Sequence, residues 1–106
     1  MTMFTGDEEH EISLEDAAAL TARYRAQMAS GQIKGGFFGK TAISKLITES
    51  GAVGFRYYYG LDEDEKQVLV LIAVNADGTD IVDGIVLEFS LPCPTYCGFP
   101  PSALDS

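Results

Sequence analysis

Apolar residues recur at three-to-four spacing from Leu14 through Ala17, Ala18, Thr21, Tyr24 and Met28, which predicts a helix over 14–29. Ser13 and Asp16 have capping-box spacing, and Glu15 and Asp16 suit the positive end of a helix dipole. Arg23 and Arg25 fall near the other end, where cations are favoured, and Ser30-Gly31 stops the run. Glycines 31, 35, 36 and 39 then surround Phe37 and Phe38. Glycine this dense does not hold a helix cheaply, so 31–39 reads as a loop that inserts one or both phenylalanines into the core. A second helix is predicted over 40–50, with Ile43, Leu46 and Ile47 as its apolar side and Gly51 as its left-handed stop.

After Gly51 the period changes to two. Val53, Phe55, Tyr57 and Tyr59 alternate with other residues in 52–59, a strand pattern rich in aromatic rings. Residues 60–66 form a turn that carries Asp62, Glu63, Asp64 and Glu65 in succession. The stretch 67–74 is apolar on both faces, with Val68, Val70, Ile72 and Val74 opposing Leu69, Leu71 and Ala73. Such a strand is normally central and covered twice. An Asp77-Gly78 turn leads to a third strand over 80–91, with Gly84 as a bulge. The expected fold is α+β: two N-terminal helices packed on a small antiparallel meander of three or four strands. Residues 1–11 read as a flexible acidic arm, 12–106 as one domain, and 92–106 as its tail of proline and cysteine. The second face of 67–74 then wants a lid, either that tail or a second copy of the chain.

Length fits this picture, because 106 residues close a single small core and are too few for a Rossmann enzyme or a TIM barrel. Seven Lys and Arg oppose sixteen Asp and Glu, for a net charge of −9. A partner made of nucleic acid is excluded, since no basic patch is available to displace counterions from phosphate. Anionic membrane surfaces are disfavoured for the same reason. All seven basic residues lie in 23–66, so both ends of the chain are purely acidic, which suits a protein partner with a basic surface. No secretory signal and no apolar run of membrane-spanning length is visible, and a cytoplasmic setting is the expectation.

Candidate chemistry is thin. Residues 35–41 end in Gly39-Lys40-Thr41 like a phosphate-binding loop, but Lys34 stands where the first glycine is needed. Cys93 and Cys97 form a Cys-x3-Cys pair that reads as free thiols packing the tail, as a small disulfide loop, or with His10 as part of a metal site. The single histidine lies in the arm, so no Ser-His-Asp or Cys-His set can be assembled; the chain reads as no enzyme, without catalytic residues or cofactor. The acidic turns at 62–65 and 75–80 lack the ligand spacing of a calcium loop and read as solvated turns. Arg56, Tyr57, Tyr58 and Tyr59, with Phe37 and Phe38, are the candidate binding surface, because tyrosine combines contact area with a polar tip. Phe37, Phe38 and Tyr57 are also the candidates for lining a small-ligand pocket.

The strings Ile12-Ser13-Leu14-Glu15-Asp16-Ala17, Arg56-Tyr57-Tyr58-Tyr59-Gly60-Leu61-Asp62 and Cys93-Pro94-Thr95-Tyr96-Cys97 resemble a group of small bacterial proteins of unassigned function. The resemblance spans most of the chain and implies no activity. The function expected from the residues is a binding or assembly module that self-associates through its sheet, as a homodimer. The alternative is a metal- or redox-responsive protein that uses the Cys-x3-Cys pair.

Overall fold

The computed structural model describes residues 2–88 and 91–105. In chain order the elements are α1 (Leu14–Gln27), β1 (Gly35–Phe37), α2 (Lys40–Ile47), β2 (Ala52–Leu61), β3 (Gln67–Asn75), β4 (Val86–Glu88) and β5 (Leu91–Cys93). The fold is α+β with antiparallel sheets, one of three strands in the order β2-β3-β4 and one of two strands, β1-β5. The chain divides into two compact units: Met1–Glu9 with Phe38–Ser90, and His10–Phe37 with Leu91–Ser106. Among the described residues no helix is long and apolar enough to cross a membrane.

The first unit holds the three-stranded antiparallel sheet and α2. β3 pairs with β2 along its whole length and with β4 over Val70–Ile72, so the strand that is apolar on both faces is indeed central. Leu71, Ile72, Ala73 and Val74 are 3%, 8%, 1% and 3% exposed, so both faces are covered at this end of the strand. On one face the cover is α2. Its Leu46 is fully buried against Leu71 and Ala73, with Ile43, Phe38, Ala52, Ile81 and Leu87 packed around them. On the other face, where Arg56 sits opposite Ile72 and Gly54 opposite Val74, the chain's own beginning is fastened. The backbone N–H groups of Met3 and Phe4 donate to the Ala76 carbonyl at 2.7 and 3.0 Å, and the Arg56 guanidinium carbon stands 6.0 Å from the Phe4 ring centre. Gly78 has φ +86°, and a Cβ there would come within 2.5 Å of the Met3 sulfur. The arm expected to be loose is thus tied down at its start, and it stands where a tail or a second copy was expected as the lid.

Glu8 shapes the next turn of that arm by accepting from the Thr5 and Gly6 N–H groups at 2.9 and 3.0 Å. These donors, that of Thr5 foremost, hold its carboxyl below its ordinary value of 4.5. A lowered pKa in the folded state means that the contribution of this turn is complete above 4.5 and lost as pH falls through the lowered value. In an acid titration followed by NMR, the Thr5 and Gly6 amide shifts are expected to move with a midpoint below 4.5; a midpoint at or above it would remove Glu8 as the organiser.

The expected third strand over 80–91 is broken. Asp80 makes an isolated bridge to Val74, the backbone turns at 82–84, and only Val86–Glu88 pairs with β3. Glu49 from the end of α2 interrupts it, its Oε1 accepting from the Ile85 N–H at 2.8 Å. Gly84 is therefore no strand bulge but the residue that admits this carboxylate, since a Cβ there would lie 2.7 Å from the Glu49 Cδ. Phe89 and Ser90, included in the expected strand, lie outside the described residues.

The second unit holds α1, which does not belong with the sheet that α2 covers. Ser13 caps it as expected, its Oγ accepting from the Asp16 N–H at 3.0 Å. Its stripe consists mostly of Ala and Thr, and no residue of α1 is buried; Leu14 and Leu20 remain exposed. Gly35–Phe37, expected to be loop, is a strand paired in the register Gly35↔Cys93, Gly36↔Pro92 and Phe37↔Leu91. Ile33 is buried in this unit, and polar links add to it. The Tyr24 hydroxyl donates to the Ile33 carbonyl at 3.2 Å, and Arg25 Nη1 donates to the Leu104 carbonyl at 2.5 Å.

Candidate functional site

The Arg56–Tyr59 run is divided by strand alternation. Arg56 and Tyr58 lie on the face opposite α2 and both serve Asp80, whose carboxylate accepts from Arg56 Nη1 and from the Tyr58 hydroxyl at 2.6 Å each. Arg56 Nη2 also donates to the Gly78 carbonyl at 3.1 Å. The hydrogen bonds with Tyr58 and then Asp80 raise the guanidinium above its already high ordinary value. This cluster ties the middle of β2 to the turn after β3, so these two candidate binding residues have structural partners within their own unit.

The alternate positions lie on the α2 face of the sheet, with Phe55 opposite Ala73 and Tyr57 opposite Leu71, yet remain exposed. Tyr57, Tyr59 and Leu61 are 55%, 70% and 69% exposed, and Phe55 is also exposed. The Tyr57 and Tyr59 rings meet edge to face, 5.7 Å apart at 77°. They project from a ten-residue strand at the rim of the three-stranded sheet, hydrogen-bonded to β3 on one side. Long, apolar sheet edges are templates for another strand. Phe55, which the period-two pattern places with Tyr57 and Tyr59, and Leu61 extend this exposed stripe beyond the candidate binding residues.

Phe37 and Phe38 part company. Phe38 packs on the Leu46–Leu71–Ala73 cluster, whereas Phe37 is an exposed residue of β1. Phe38 is therefore a core residue and no part of an open surface. The two acidic turns fold on themselves. Asp62 Oδ1 accepts from the Asp64 and Lys66 N–H groups at 2.9 Å each, and Asn75 Oδ1 accepts from those of Asp77 and Thr79 at 3.0 and 3.1 Å.

In the second unit Cys93 and Cys97 are bridged, with Cα atoms 4.8 Å apart, so of the three open readings the structure has the disulfide loop. Asp105 joins them: the two sulfurs and a carboxylate oxygen all lie within 4.8 Å of one another. Its Oδ1 is a buried atom without a hydrogen-bond partner, against which the Lys34 ammonium rests as an ion pair. The Lys34 backbone N–H donates to the Cys93 carbonyl at 2.7 Å, so one residue touches both the cysteine loop and the tail. Among the described residues this is the group of potential metal ligands brought together, and His10 is not in it. Asp105 was invisible to a search by spacing, because its approach depends on the fold of the tail.

Compared with protein-family models, with curated proteins and with solved structures, the chain matches none.

Proposed function

We propose that this chain is a non-enzymatic binding module that self-associates as a homodimer through its sheet, with β2 as the pairing edge. The observation that carries this reading is the exposed stripe Phe55, Tyr57, Tyr59 and Leu61 on a long rim strand. An interface between identical chains around a two-fold axis must be self-complementary. Antiparallel pairing of β2 with its copy about Tyr58 satisfies that condition. It sets Tyr57 against Tyr59 of the other chain and Phe55 against Leu61, cross-strand apolar pairs worth about 0.2–1 kcal/mol each. It also carries each acidic 62–65 turn to the Gly51–Gly54 end of the opposite strand, so the two turns do not face each other despite the net charge of −9. Parallel pairing would bring those turns together.

Because the face opposite α2 carries the chain's own arm, association through the sheet falls to its edge. The purely acidic ends of the sequence favour a protein partner with a basic surface for the assembled form. A cytoplasmic setting, expected from the sequence, would keep the Cys93–Cys97 pair open for most of its life.

Light scattering coupled to size exclusion is expected to give a dimer for the wild type. Tyr59→Lys is expected to shift the monomer–dimer midpoint by about tenfold or more, since edge lysines oppose strand addition and here would face a ring on the other copy. Tyr59 is exposed, so the monomer should keep its fold. A wild type that stays monomeric at high micromolar concentration refutes the proposal.

A further inference from the structure

We propose that the second unit, once its disulfide is reduced, holds one thiophilic divalent cation of the zinc class between Cys93 Sγ, Cys97 Sγ and the Asp105 carboxylate, and that oxidation closes the site. The assignment is independent of the β2 edge. It rests on three donor atoms that already converge within 4.8 Å, two of them from a Cys-x3-Cys segment and the third from a tail residue. Structural zinc accepts cysteine spacings of about two to four intervening residues, at Zn–S distances of about 2.3 Å. Tetrahedral placement then needs sulfurs about 3.8 Å apart, a small opening from the bridged pair once the S–S bond is cut. Two soft thiolates and one carboxylate select zinc over calcium or magnesium, which require oxygen ligands.

The carboxylate is held ready. Arg25 Nη1 fixes the Leu104 carbonyl at 2.5 Å, and the Asp105 N–H donates to the Ser102 carbonyl at 3.0 Å, so the tail turns back beside the cysteine loop. Asp105 Oδ1 is buried and meets only the Lys34 ammonium among the described residues. Lys34 in turn is anchored to the Cys93 carbonyl. While the disulfide is closed, the ammonium pairs with Asp105 Oδ1. With the metal bound, two thiolates and one carboxylate around a dication leave one negative charge, which the same ammonium neutralises.

The redox step balances with a dithiol as the reductant. Two electrons and two protons pass from the dithiol to the Cys93–Cys97 bond; the reductant's sulfurs pair and two protein thiols form. Binding the cation then releases both thiol protons to solvent, because thiolates are the ligands. A water completes four-coordination.

Cobalt(II), added to full-length protein in oxidised and dithiol-reduced, desalted form, reads the site through thiolate-to-cobalt charge-transfer absorption. One cobalt per reduced chain and none per oxidised chain is expected. Asp105→Asn, nearly isosteric, is expected to weaken cobalt binding by about tenfold or more. Addition of zinc to reduced protein should restore protection of the Lys34 amide against hydrogen exchange, a sign that the metal sits in the folded cluster rather than on loose thiols. The proposal is overturned by a reduced chain that takes up no cobalt, by equal binding to the oxidised form, by an Asp105→Asn variant as tight as wild type, or by zinc that leaves the Lys34 amide open.

Discussion

Leu46→Ala is expected to destabilise the sheet unit by about 2–5 kcal/mol, the usual cost of truncating a buried leucine whose surroundings do not collapse into the space. Leu46 is the one described large side chain with no exposure at all, and it joins α2 to the two inward residues of β3, Leu71 and Ala73. The cost is set by geometry. Leu71 and Ala73 of β3 and the partly buried Phe38, Ile43, Ile81 and Leu87 line the space that the truncation would leave. Because domains of this size hold only about 5–15 kcal/mol in total, much of the unit's stability would go with that one side chain. Urea denaturation followed by far-ultraviolet circular dichroism measures the change, and a loss below about 1 kcal/mol would mean that the helix is not seated on the sheet as described. Ile47→Ala serves as the control, since Ile47 is exposed on the same helix and should cost far less.

Opening the Cys93–Cys97 bridge under metal-free conditions should cost the second unit about 2 kcal/mol, the chain-entropy value for so short a loop. That loss is large for this unit because it has little else: α1 has no buried residue, and the pairing of Gly35–Phe37 with Leu91–Cys93 is only three residues long. Small folds without an adequate apolar core depend on such staples. Amide hydrogen exchange of oxidised and reduced protein tests this residue by residue. The Lys34 N–H, bonded to the Cys93 carbonyl, should lose protection on reduction, whereas the amides of Leu71 and Ala73 should keep theirs. Unchanged protection at Lys34 would show that the bridge is an ornament on an already stable strand pair.

Local and periodic features were legible in the residues. The cap at Ser13, the start of α2 at Lys40, the doubly apolar run that becomes β3, and the Asp-Gly turn each follow from neighbours a few positions apart. The candidate site was legible only in part. Counting by two from Tyr57 yields the exposed stripe, but nothing in the sequence tells that Arg56 and Tyr58 are engaged by Asp80, twenty-odd residues on. The Phe37-Phe38 pair reads as two equivalent rings, yet one enters the core and the other does not.

By itself the sequence determined the α+β class and the central position of β3, because hydrophobic period and turn chemistry are properties of short segments. Only the tertiary structure decided that Met3 and Phe4 fasten onto the turn after β3, that the strand expected over 80–91 breaks at Glu49's carboxylate, that Gly35–Phe37 is a strand, and that Asp105 reaches the cysteines. Each of these joins distant parts of the chain, several through backbone N–H and C=O groups that every residue carries alike, and such groups leave no mark on the order of side chains.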